Sequence, residues 1–322
     1  MIEETLTDLE KLKPSSEEVF DIIIIGAGPA GMSAAVCASR ADLKVLVIEK
    51  AMPGGECSTA WKIDNYIGFP NGILGETLGK KMEEQLLSHD VAYTCDNVSD
   101  ITDIRESTKV IHTELGYRYK TKSIILAMGL EPKELEASFE SQFLGRGISY
   151  YAQCDAEHYK NKDVMVIGGG NCACYAADYL SNYAQKVYLV HQFDHIRAVK
   201  TLERSIIENP LIDIIWDSKV EEVFGIDCVE KAKVVNISNN QHVWLDVKGI
   251  FIYVGRIPSK DHISLELDID ENGFIIADEY MRTNIPGIYA AGDIRSKQIR
   301  QIATAVSDGM TAAINVERDL FR

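Results

Sequence analysis

The stretch Asp21-Ile-Ile-Ile-Ile-Gly26-Ala-Gly28-Pro-Ala30-Gly31 decides the fold of this chain. Four consecutive isoleucines predict a buried strand, and the glycines after them predict a tight turn into an alanine-rich helix. Glycines in this arrangement let the backbone approach a pyrophosphate closely at the N-terminus of a helix. The stretch therefore predicts the first strand–turn–helix unit of a dinucleotide-binding domain.

A second strand places an acidic residue where this motif needs one. The segment Lys44–Ile48 reads as a strand and ends at Glu49, near the spacing of roughly 20 residues at which such an acid accepts hydrogen bonds from an adenosine ribose. A lone glycine motif is a weak signal, but here strand, helix and acid follow in order. The predicted nucleotide contacts of this unit are Gly26, Gly28, Ala30, Gly31 and Glu49.

The same pattern occurs again at Asp163-Val-Met-Val-Ile-Gly168-Gly-Gly170-Asn171-Cys-Ala173. Two such units predict an α/β fold with two Rossmann-like, three-layer ββα domains. The segments Ser123–Gly129 and Gly249–Gly255 read as strands that end in tight turns, and we take them as the crossings between domains. The first domain is then discontinuous, residues 1–130 with 255–322, and the second is an insert, residues 131–254.

Length, composition and charge narrow the class of protein. The chain has 322 residues, 46% of them hydrophobic and 25% charged, which suits two globular domains. Its formal net charge of −16 argues against a nucleic-acid partner, because such binding needs a basic face. No apolar run approaches the ~20 residues that span a bilayer, so no membrane partner is predicted.

The ends of the chain and its cysteines bear on location. The stretch Met1–Phe20 is acidic and lacks an apolar core, so no signal peptide is predicted there. The seven cysteines are scattered and odd in number, which fits a reducing cytoplasm where a disulfide is catalytic rather than structural. No Cys/His cluster has the spacing of metal ligands, so no metal site is predicted.

Four further segments bear on which dinucleotide this unit binds. Ile285–Asp293 reads as a strand that ends in Gly292-Asp293, and Arg300-Gln301-Ile302 opens a C-terminal helix. Upstream, Gly54–Thr59 and Lys62–Gly68 form two loops. In this order and spacing the chain resembles the low-molecular-weight thioredoxin reductases along nearly its whole length after residue 20.

The resemblance implies an FAD site, a thioredoxin reductase architecture and a symmetric homodimer. It implies that Asp293 holds the ribityl chain of FAD, that Asn65 contacts the flavin, and that Arg300 and Gln301 lie along the isoalloxazine. The remaining flavin-site residues that it implies are Gly55, Glu56, Cys57, Gly129, Gly292 and Ile302.

The chain departs from that family at the thiols. Where the family carries Cys-Ala-Thr-Cys-Asp, this chain reads Tyr151-Ala-Gln-Cys154-Asp155. The flavin-proximal cysteine and the proton-transfer acid are kept as Cys154 and Asp155, but the first cysteine is replaced by Tyr151. A single cysteine does not run a thiol–disulfide relay unless another one substitutes for the missing partner.

Other cysteines are candidates for that partner. Cys172 and Cys174 open the second nucleotide helix, where the helix N-terminus lowers the pKa of a thiol. They are two residues apart, so a disulfide between them needs a distorted first turn. Cys57, in the flavin loop, is a further candidate. The predicted catalytic residues are therefore Cys154, Asp155, Cys172 and Cys174.

The second departure lies in the inserted domain. After the strand Lys186–Val190 the family carries His-Arg-Arg-x-x-x-Arg, whose arginines clamp the 2′-phosphate of NADPH. Here the segment reads His191-Gln192-Phe-Asp-His-Ile-Arg197, so NADPH is expected to bind poorly. The glycine turn is intact, with Gly168, Gly170, Asn171, Ala173 and Gln192 as its predicted contacts. A second FAD, NAD(H) or an empty structural site all remain open.

Because it lacks both the cysteine pair and the arginine clamp, the chain most resembles the cyanobacterial diflavin-linked disulfide oxidoreductases. That likeness implies an NADPH-independent enzyme in which FAD, two per chain, exchanges electrons with a thiol or disulfide substrate. Two alternatives remain open: a flavoprotein that exchanges electrons with ferredoxin or another carrier, and a flavin redox sensor without turnover.

Overall fold

The computed structural model describes residues 18–135, 137–259 and 265–321 of the chain. The chain divides into two compact units, Met1–Glu131 with Ile257–Arg322, and Pro132–Arg256. From the sequence, the expected bounds are 1–130 with 255–322 for the first domain and 131–254 for the second. Most of the stretch Met1–Phe20, for which no signal peptide is predicted, lies outside the described residues.

The strands in chain order are β1 (Val19–Ile25), β2 (Val45–Glu49), β3 (Ala92–Cys95), β4 (Val98–Thr102), β5 (Lys109–Thr113), β6 (Arg118–Leu126), β7 (Leu130–Pro132), β8 (Ile148–Ser149), β9 (Asp163–Ile167), β10 (Lys186–Val190), β11 (Ile212–Ile215), β12 (Ser218–Phe224), β13 (Lys231–Asn236), β14 (His242–Asp246), β15 (Gly249–Ile252), β16 (Arg256–Pro258) and β17 (Ile288–Ala290). The α-helices of the described residues are α1 (Pro29–Arg40), α2 (Gly75–Leu87), α3 (Ser138–Phe143), α4 (Ala152–Asp155), α5 (Asn171–Leu180), α6 (Lys200–Glu208) and α7 (Ile302–Leu320). Among these helices none is both long and apolar enough to cross a membrane.

The first unit is built on a seven-stranded sheet in the order β3-β2-β1-β6-β5-β4, with β17 paired to β6. Strand β1 lies parallel to both β2 and β6, while β4, β5 and β6 form an antiparallel ladder. The isoleucines of β1 alternate between two buried clusters. Ile22 and Ile24 pack with the alanines of α1, and Ile23 packs with residues of β5 and β6 such as Ile111. Both faces of this strand are therefore covered.

Helix α1 lies close to both the sheet and helix α7. A side chain at Gly309 of α7 would place its Cβ 2.0 Å from the carbonyl oxygen of Ala30, so only glycine permits this approach of the two helices. Pro29 lies in the first turn of α1, where its missing N–H costs no helix hydrogen bond. The glycine turn before α1 is held between these elements.

The second unit has a five-stranded parallel sheet in the order β11-β10-β9-β15-β8, and a separate antiparallel sheet of β12, β13 and β14. Val164 and Val166 of β9 pack toward the helices, whereas Met165 and Ile167 pack in the cluster that holds Val234 of β13. The unit thus has helices, a parallel sheet and an antiparallel sheet in three layers. Strands β7 and β16, on the two crossing segments, pair with each other.

Candidate flavin, nucleotide and thiol sites

The glycine turn of the first unit is fixed by close backbone packing. Gly26 has a φ of +103°, and a Cβ there would lie 2.5 Å from the carbonyl oxygen of Ala127. A Cβ on Gly31 would lie 1.9 Å from the carbonyl oxygen of Gly26. At Gly28, by contrast, a Cβ would have nothing within 4 Å among the described atoms. Open space at the start of helix α1 is what an approaching pyrophosphate requires.

Glu49 ends strand β2 beside this turn. Its carboxylate accepts hydrogen bonds from the backbone N–H of Ala27 at 2.6 Å and of Ala51 at 2.9 Å, and the residue is buried. A cavity next to it is lined in part by Gly26, Asp96 and Met128. Each carboxylate oxygen keeps a further acceptor position, so the predicted contact with a ribose hydroxyl fits the geometry.

The loop predicted to contact the flavin lies against the same turn. The backbone N–H of Gly54 donates to the carbonyl oxygen of Ala27 at 2.8 Å, and a Cβ on Gly55 would lie 3.2 Å from Cα of Gly28. Gly55 begins a short 3₁₀ turn, Gly55–Cys57, that includes Glu56. The loop therefore lies against the backbone of the turn and leaves the Cβ side of Gly28 open.

Asn65 and the start of helix α7 are joined by a side-chain hydrogen bond. The Nδ2 atom of Asn65 donates to Oε1 of Gln301 at 2.8 Å. Gln301 is the N-cap of α7 and forms a capping box with Thr304, and Ile302 is the first residue of the helix. Capping fixes the direction in which the Arg300–Ile302 segment enters the helix.

Gly292 and Asp293 lie next to helix α1. Gly292 has a φ of +82°, and a Cβ there would lie 2.8 Å from Cβ of Ala30. The Oδ1 atom of Asp293 is buried and accepts no hydrogen bond within the described part of the chain; Nζ of Lys297 lies 3.4 Å away. Burial raises the pKa of Asp293, against the opposing charge of Lys297. A buried acceptor without a donor is the feature that a hydroxyl-bearing ligand such as the ribityl chain of FAD would satisfy.

Sequence reasoning missed the charged cluster that supports this segment. Asp308 of α7 accepts from Arg295 at 3.1 Å, from Lys297 at 2.9 Å and from the backbone N–H of Gly292 at 3.2 Å. The guanidinium of Arg300 lies 3.7 Å from the ring centroid of Phe274 and donates to the carbonyl oxygen of Asp293. The sequence signal for this cluster was Asp308 itself, an aspartate between small residues inside a helix, because a buried carboxylate needs charged or hydrogen-bonding partners. Gly129, with a φ of +67°, has open space around its Cβ position.

The glycine turn of the second unit repeats the first in part. Gly168 has a φ of +138°, and a Cβ there would lie 2.3 Å from the carbonyl oxygen of Tyr253. Gly170 has open space, as Gly28 does, and Ala173 is fully buried. Asn171, the first residue of α5, accepts through Oδ1 from the backbone N–H of Val199 at 2.9 Å. The turn is compatible with a pyrophosphate-bearing ligand.

The segment after β10 differs most from the expected nucleotide clamp. Gln192 is exposed, and the guanidinium of Arg197 lies 4.0 Å from the ring centroid of Phe193. His195 and Asp194 pair at 2.8 Å between Nδ1 and Oδ1. The positions where the resemblance predicts adjacent arginines therefore carry an amide and an aromatic ring.

The structure separates the cysteines by exposure. None of the seven is in a disulfide; Cys154 and Cys172 are exposed, while Cys57 and Cys174 are buried. Burial raises the pKa of the Cys57 thiol to about 11 and that of Cys174 to about 12. These two thiols are protonated and inaccessible, which argues against the predicted catalytic role of Cys174. Its position on the inner face of α5 outweighs its nearness to the helix N-terminus.

Cys154 lies on the short helix α4, next to Asp155. Partial burial raises the pKa of its thiol, and the neighbouring carboxylate of Asp155 raises it further. The hydroxyl of Tyr253 accepts a hydrogen bond from the backbone N–H of Ala152 at 3.0 Å and so fixes the start of α4. Tyr151 is exposed. Within the described ranges no group of three or more acidic, His or Cys side chains could hold a metal ion.

This chain is similar to known proteins in family, in sequence and in structure. Residues 20–309 match the family described as pyridine nucleotide-disulphide oxidoreductase. The thioredoxin reductase of Listeria innocua is 42% identical over 306 residues, which cover 94% of this chain and 95% of that protein. The thioredoxin reductase structures of Lactococcus lactis and T. acidophilum superimpose with TM-scores of 0.89, at 38% and 33% identity, and cover 94% of this chain and 99% of theirs.

The chain belongs to the pyridine nucleotide-disulphide oxidoreductase family, and within it to the thioredoxin reductase-like flavoproteins. The predicted fold class, two Rossmann-like domains in a thioredoxin reductase architecture, is confirmed, as is the class of enzyme. Family membership implies FAD. The buried acceptor of Asp293 and the open space at Gly28 fit that cofactor.

Proposed function

We propose that this chain is an FAD-dependent disulfide oxidoreductase that works without NADPH and holds a second FAD in its second unit, as in the diflavin-linked enzymes. One observation carries the proposal: Gln192 and Phe193 occupy the positions of an arginine clamp, and the guanidinium of Arg197 lies on the ring of Phe193. A 2′-phosphate is held by bidentate contacts from unobstructed guanidinium groups. NADPH therefore lacks its usual anchor.

The residues that would hold the first FAD are those of the first unit described above. Gly28 would leave room for the pyrophosphate, Glu49 would accept from a ribose, and the buried Oδ1 of Asp293, ion-paired with Lys297, would accept from a ribityl hydroxyl. FAD, when bound, supplies two-electron redox chemistry that the side chains of this chain lack.

The thiol chemistry is assigned to Cys154 and Asp155. When a substrate dithiol becomes a disulfide, it loses two protons and one of its thiolates attacks an enzyme disulfide that includes Cys154; the two electrons of the enzyme dithiol so formed would pass to FAD. The raised pKa of Cys154 keeps its thiol protonated at neutral pH, so a base is needed. The adjacent carboxylate of Asp155 takes that proton. Cys172, exposed at the first turn of α5, is the candidate for a second enzyme thiol.

The proposed setting is a cytoplasmic homodimer that acts on a small protein or small-molecule thiol or disulfide. The direct test is the FAD-to-polypeptide ratio of freshly purified protein, measured by absorbance after denaturation. A ratio near two is expected. A ratio near one would contradict the second-FAD part of the proposal and leave the thiol chemistry to be judged separately.

The electron donor is tested by anaerobic stopped-flow reduction. A dithiol is expected to bleach the flavin rapidly, whereas NADPH at the same concentration bleaches it at least ten times more slowly. Reduction by NADPH at the rate seen with dithiol would contradict NADPH independence.

A second candidate function is electron exchange with a one-electron protein carrier, with no thiol step. The replacement of a redox cysteine by Tyr151 favours it. Flavin oxidation by such a carrier that is fast and unaffected when all cysteines are alkylated would support this candidate over the first. Lack of turnover with thiols, nicotinamides and carriers alike would support a flavin redox sensor.

A further inference from the structure

The segment between β10 and α6 lies beside the glycine turn of the second unit. The backbone N–H of Arg197 donates to the carbonyl oxygen of Gly169 at 2.8 Å, and Arg197 forms a β-bridge with Gly170. This places the segment at the carboxyl ends of parallel strands, the region where ligands bind in open α/β sheets. Its side chains are therefore positioned to contact whatever occupies the turn.

Three contacts hold the aromatic ring of Phe193 in place. The ring of His191 meets it edge-on at 5.4 Å between centroids, and the guanidinium of Arg197 lies 4.0 Å from its centroid. The ring of His195 lies 6.2 Å away, and His195 pairs with Asp194. A planar guanidinium stacked on an aromatic ring presents flat, polarisable surfaces to a heterocyclic base.

His191 connects this stack to the glycine turn. It is 6% exposed, its Nε2 atom accepts or donates no hydrogen bond within the described residues, and its ring fills the space where a Cβ on Gly169 would lie. Burial lowers the pKa of His191, and the nearby Arg197 lowers it further. The ring is therefore neutral at pH 7 and adds no positive charge for a phosphate.

The charges of the segment disfavour a second phosphate on the ribose. The hydrogen bond from His195 lowers the pKa of Asp194, so this exposed carboxylate is ionised at neutral pH. The neighbouring Gln192 is uncharged and exposed. A 2′-phosphate would meet one guanidinium engaged with an aromatic ring and one carboxylate of its own sign.

We infer that Phe193 and Arg197 form a base-stacking platform for an adenine nucleotide that carries a 5′-diphosphate and a free 2′-hydroxyl. FAD, NAD(H) and ADP share this chemistry, and NADPH does not. The inference rests on the proposed function only in that the second unit binds a nucleotide. It holds whether or not Cys154 takes part in thiol exchange.

The experiment compares ADP with 2′,5′-ADP, using the purified flavoprotein. If the FAD-to-polypeptide ratio is near one, both nucleotides are titrated calorimetrically. If it is near two, the release of the second flavin by each nucleotide is followed by fluorescence. In either case ADP is expected to act at concentrations at least ten times lower than 2′,5′-ADP.

Variants test which side chains cause the preference for ADP over 2′,5′-ADP. Phe193→Ala is expected to weaken ADP binding, or retention of the second flavin, roughly 10- to 100-fold, the range of one base–aromatic stack. Phe224→Ala is the matched control: this phenylalanine of the same unit also lies under a cation, Lys231, but sits on the antiparallel sheet and should leave nucleotide binding unchanged. The double variant Gln192→Arg/Phe193→Arg is expected to reverse the preference toward 2′,5′-ADP.

The inference is overturned if neither nucleotide binds or displaces flavin, if the two act equally, or if Phe193→Ala behaves as the wild type while circular dichroism shows that it is folded. Bleaching by dithiol is measured on the same samples. If ADP is preferred over 2′,5′-ADP but dithiol does not bleach the flavin, the proposed function is contradicted and this inference is supported.

Discussion

The two glycine turns follow the same backbone plan but are packed differently. In the first unit a Cβ at the third motif position, Gly31, would lie 1.9 Å from the carbonyl oxygen of Gly26. In the second unit that position is Ala173, whose methyl group is accommodated with no exposure. Helix α1 is also approached through Gly309 of α7. At the third motif position the first turn is thus compressed between sheet and helix, whereas the second turn leaves room for a methyl group.

The turns also differ in the residue that follows the neighbouring strand. Glu49 is buried and held by two backbone N–H groups, a position that suits a ribose. Gln192 is exposed and precedes the Phe193–Arg197 stack. The same backbone motif is therefore followed by a buried acid suited to a sugar in one unit and by the inferred base-stacking surface in the other. The motif predicts a nucleotide, and the flanking side chains determine which one.

The largest effect is expected at Cys154, an exposed thiol of the second unit that lies next to Asp155. Cys154→Ser should slow flavin bleaching by dithiols roughly 1,000-fold, because the hydroxyl does not replace a thiolate nucleophile. Stopped-flow absorbance measures the rate. Cys174→Ala is the control and should keep the wild-type rate, since that thiol is buried with a pKa of about 12. Full-rate bleaching by Cys154→Ser would remove Cys154 from the mechanism.

Substitutions at the third glycine-motif position should differ between the two units in how much they destabilise the protein. Gly31→Ala is expected to destabilise the protein by about 3 kcal/mol, because its methyl group overlaps a backbone oxygen that has no room to move. Ala173→Gly should cost only about 1 kcal/mol, from the flexibility of glycine in a helix. Chemical denaturation followed by circular dichroism measures both. Equal losses would show that the two turns are packed alike.

Substitution of Asp293 tests whether this buried carboxylate lowers the stability of the flavin-free protein and strengthens FAD binding. Burial raises its pKa above the ordinary 3.8, so the ionised carboxylate destabilises the flavin-free protein above that pKa and has no effect well below 3.8. Asp293→Asn should raise the melting temperature of the apoprotein at pH 7, and the gain should shrink as the pH falls toward 3.8. The same variant should bind FAD about ten times more weakly, because a charged acceptor is lost. Thermal scans and flavin titration measure the two effects; a gain in stability that is independent of pH would contradict this account.

The smallest effect is expected from giving the second unit the acid of the first. Gln192→Glu should strengthen NADH binding a few-fold, since a carboxylate accepts from both ribose hydroxyls, and should not strengthen NADPH binding. Gln192→Ala is the control for loss of the amide. Isothermal titration calorimetry measures each affinity. Equal gains for both nucleotides would show that residue 192 does not face the ribose.

Much of the fold follows from local patterns. The isoleucines of β1 and the alternating residues of β9 specify buried strands, and the glycines after them specify turns, because each rests on interactions between near neighbours in the chain. The resemblance to the thioredoxin reductases also predicted that Gln192 and Tyr151 stand at positions usually held by arginine and cysteine. The cluster around Asp308 was not predicted, since it joins residues whose approach depends on how α7 packs beside α1.

Sequence alone determined the class of this protein: two nucleotide-binding units, an FAD motif and the replacement of two catalytic features. Tertiary structure decided which of the candidate groups are chemically available. Cys172 and Cys174 are equivalent in sequence at the start of one helix, yet one is exposed and the other is enclosed by the core of the second unit. Phe193 and Arg197 read as unrelated residues until the turn between them brings ring and guanidinium together. The reason is physical: a motif encodes backbone conformation locally, whereas burial, pKa and stacking depend on atoms that only the folded chain brings into contact.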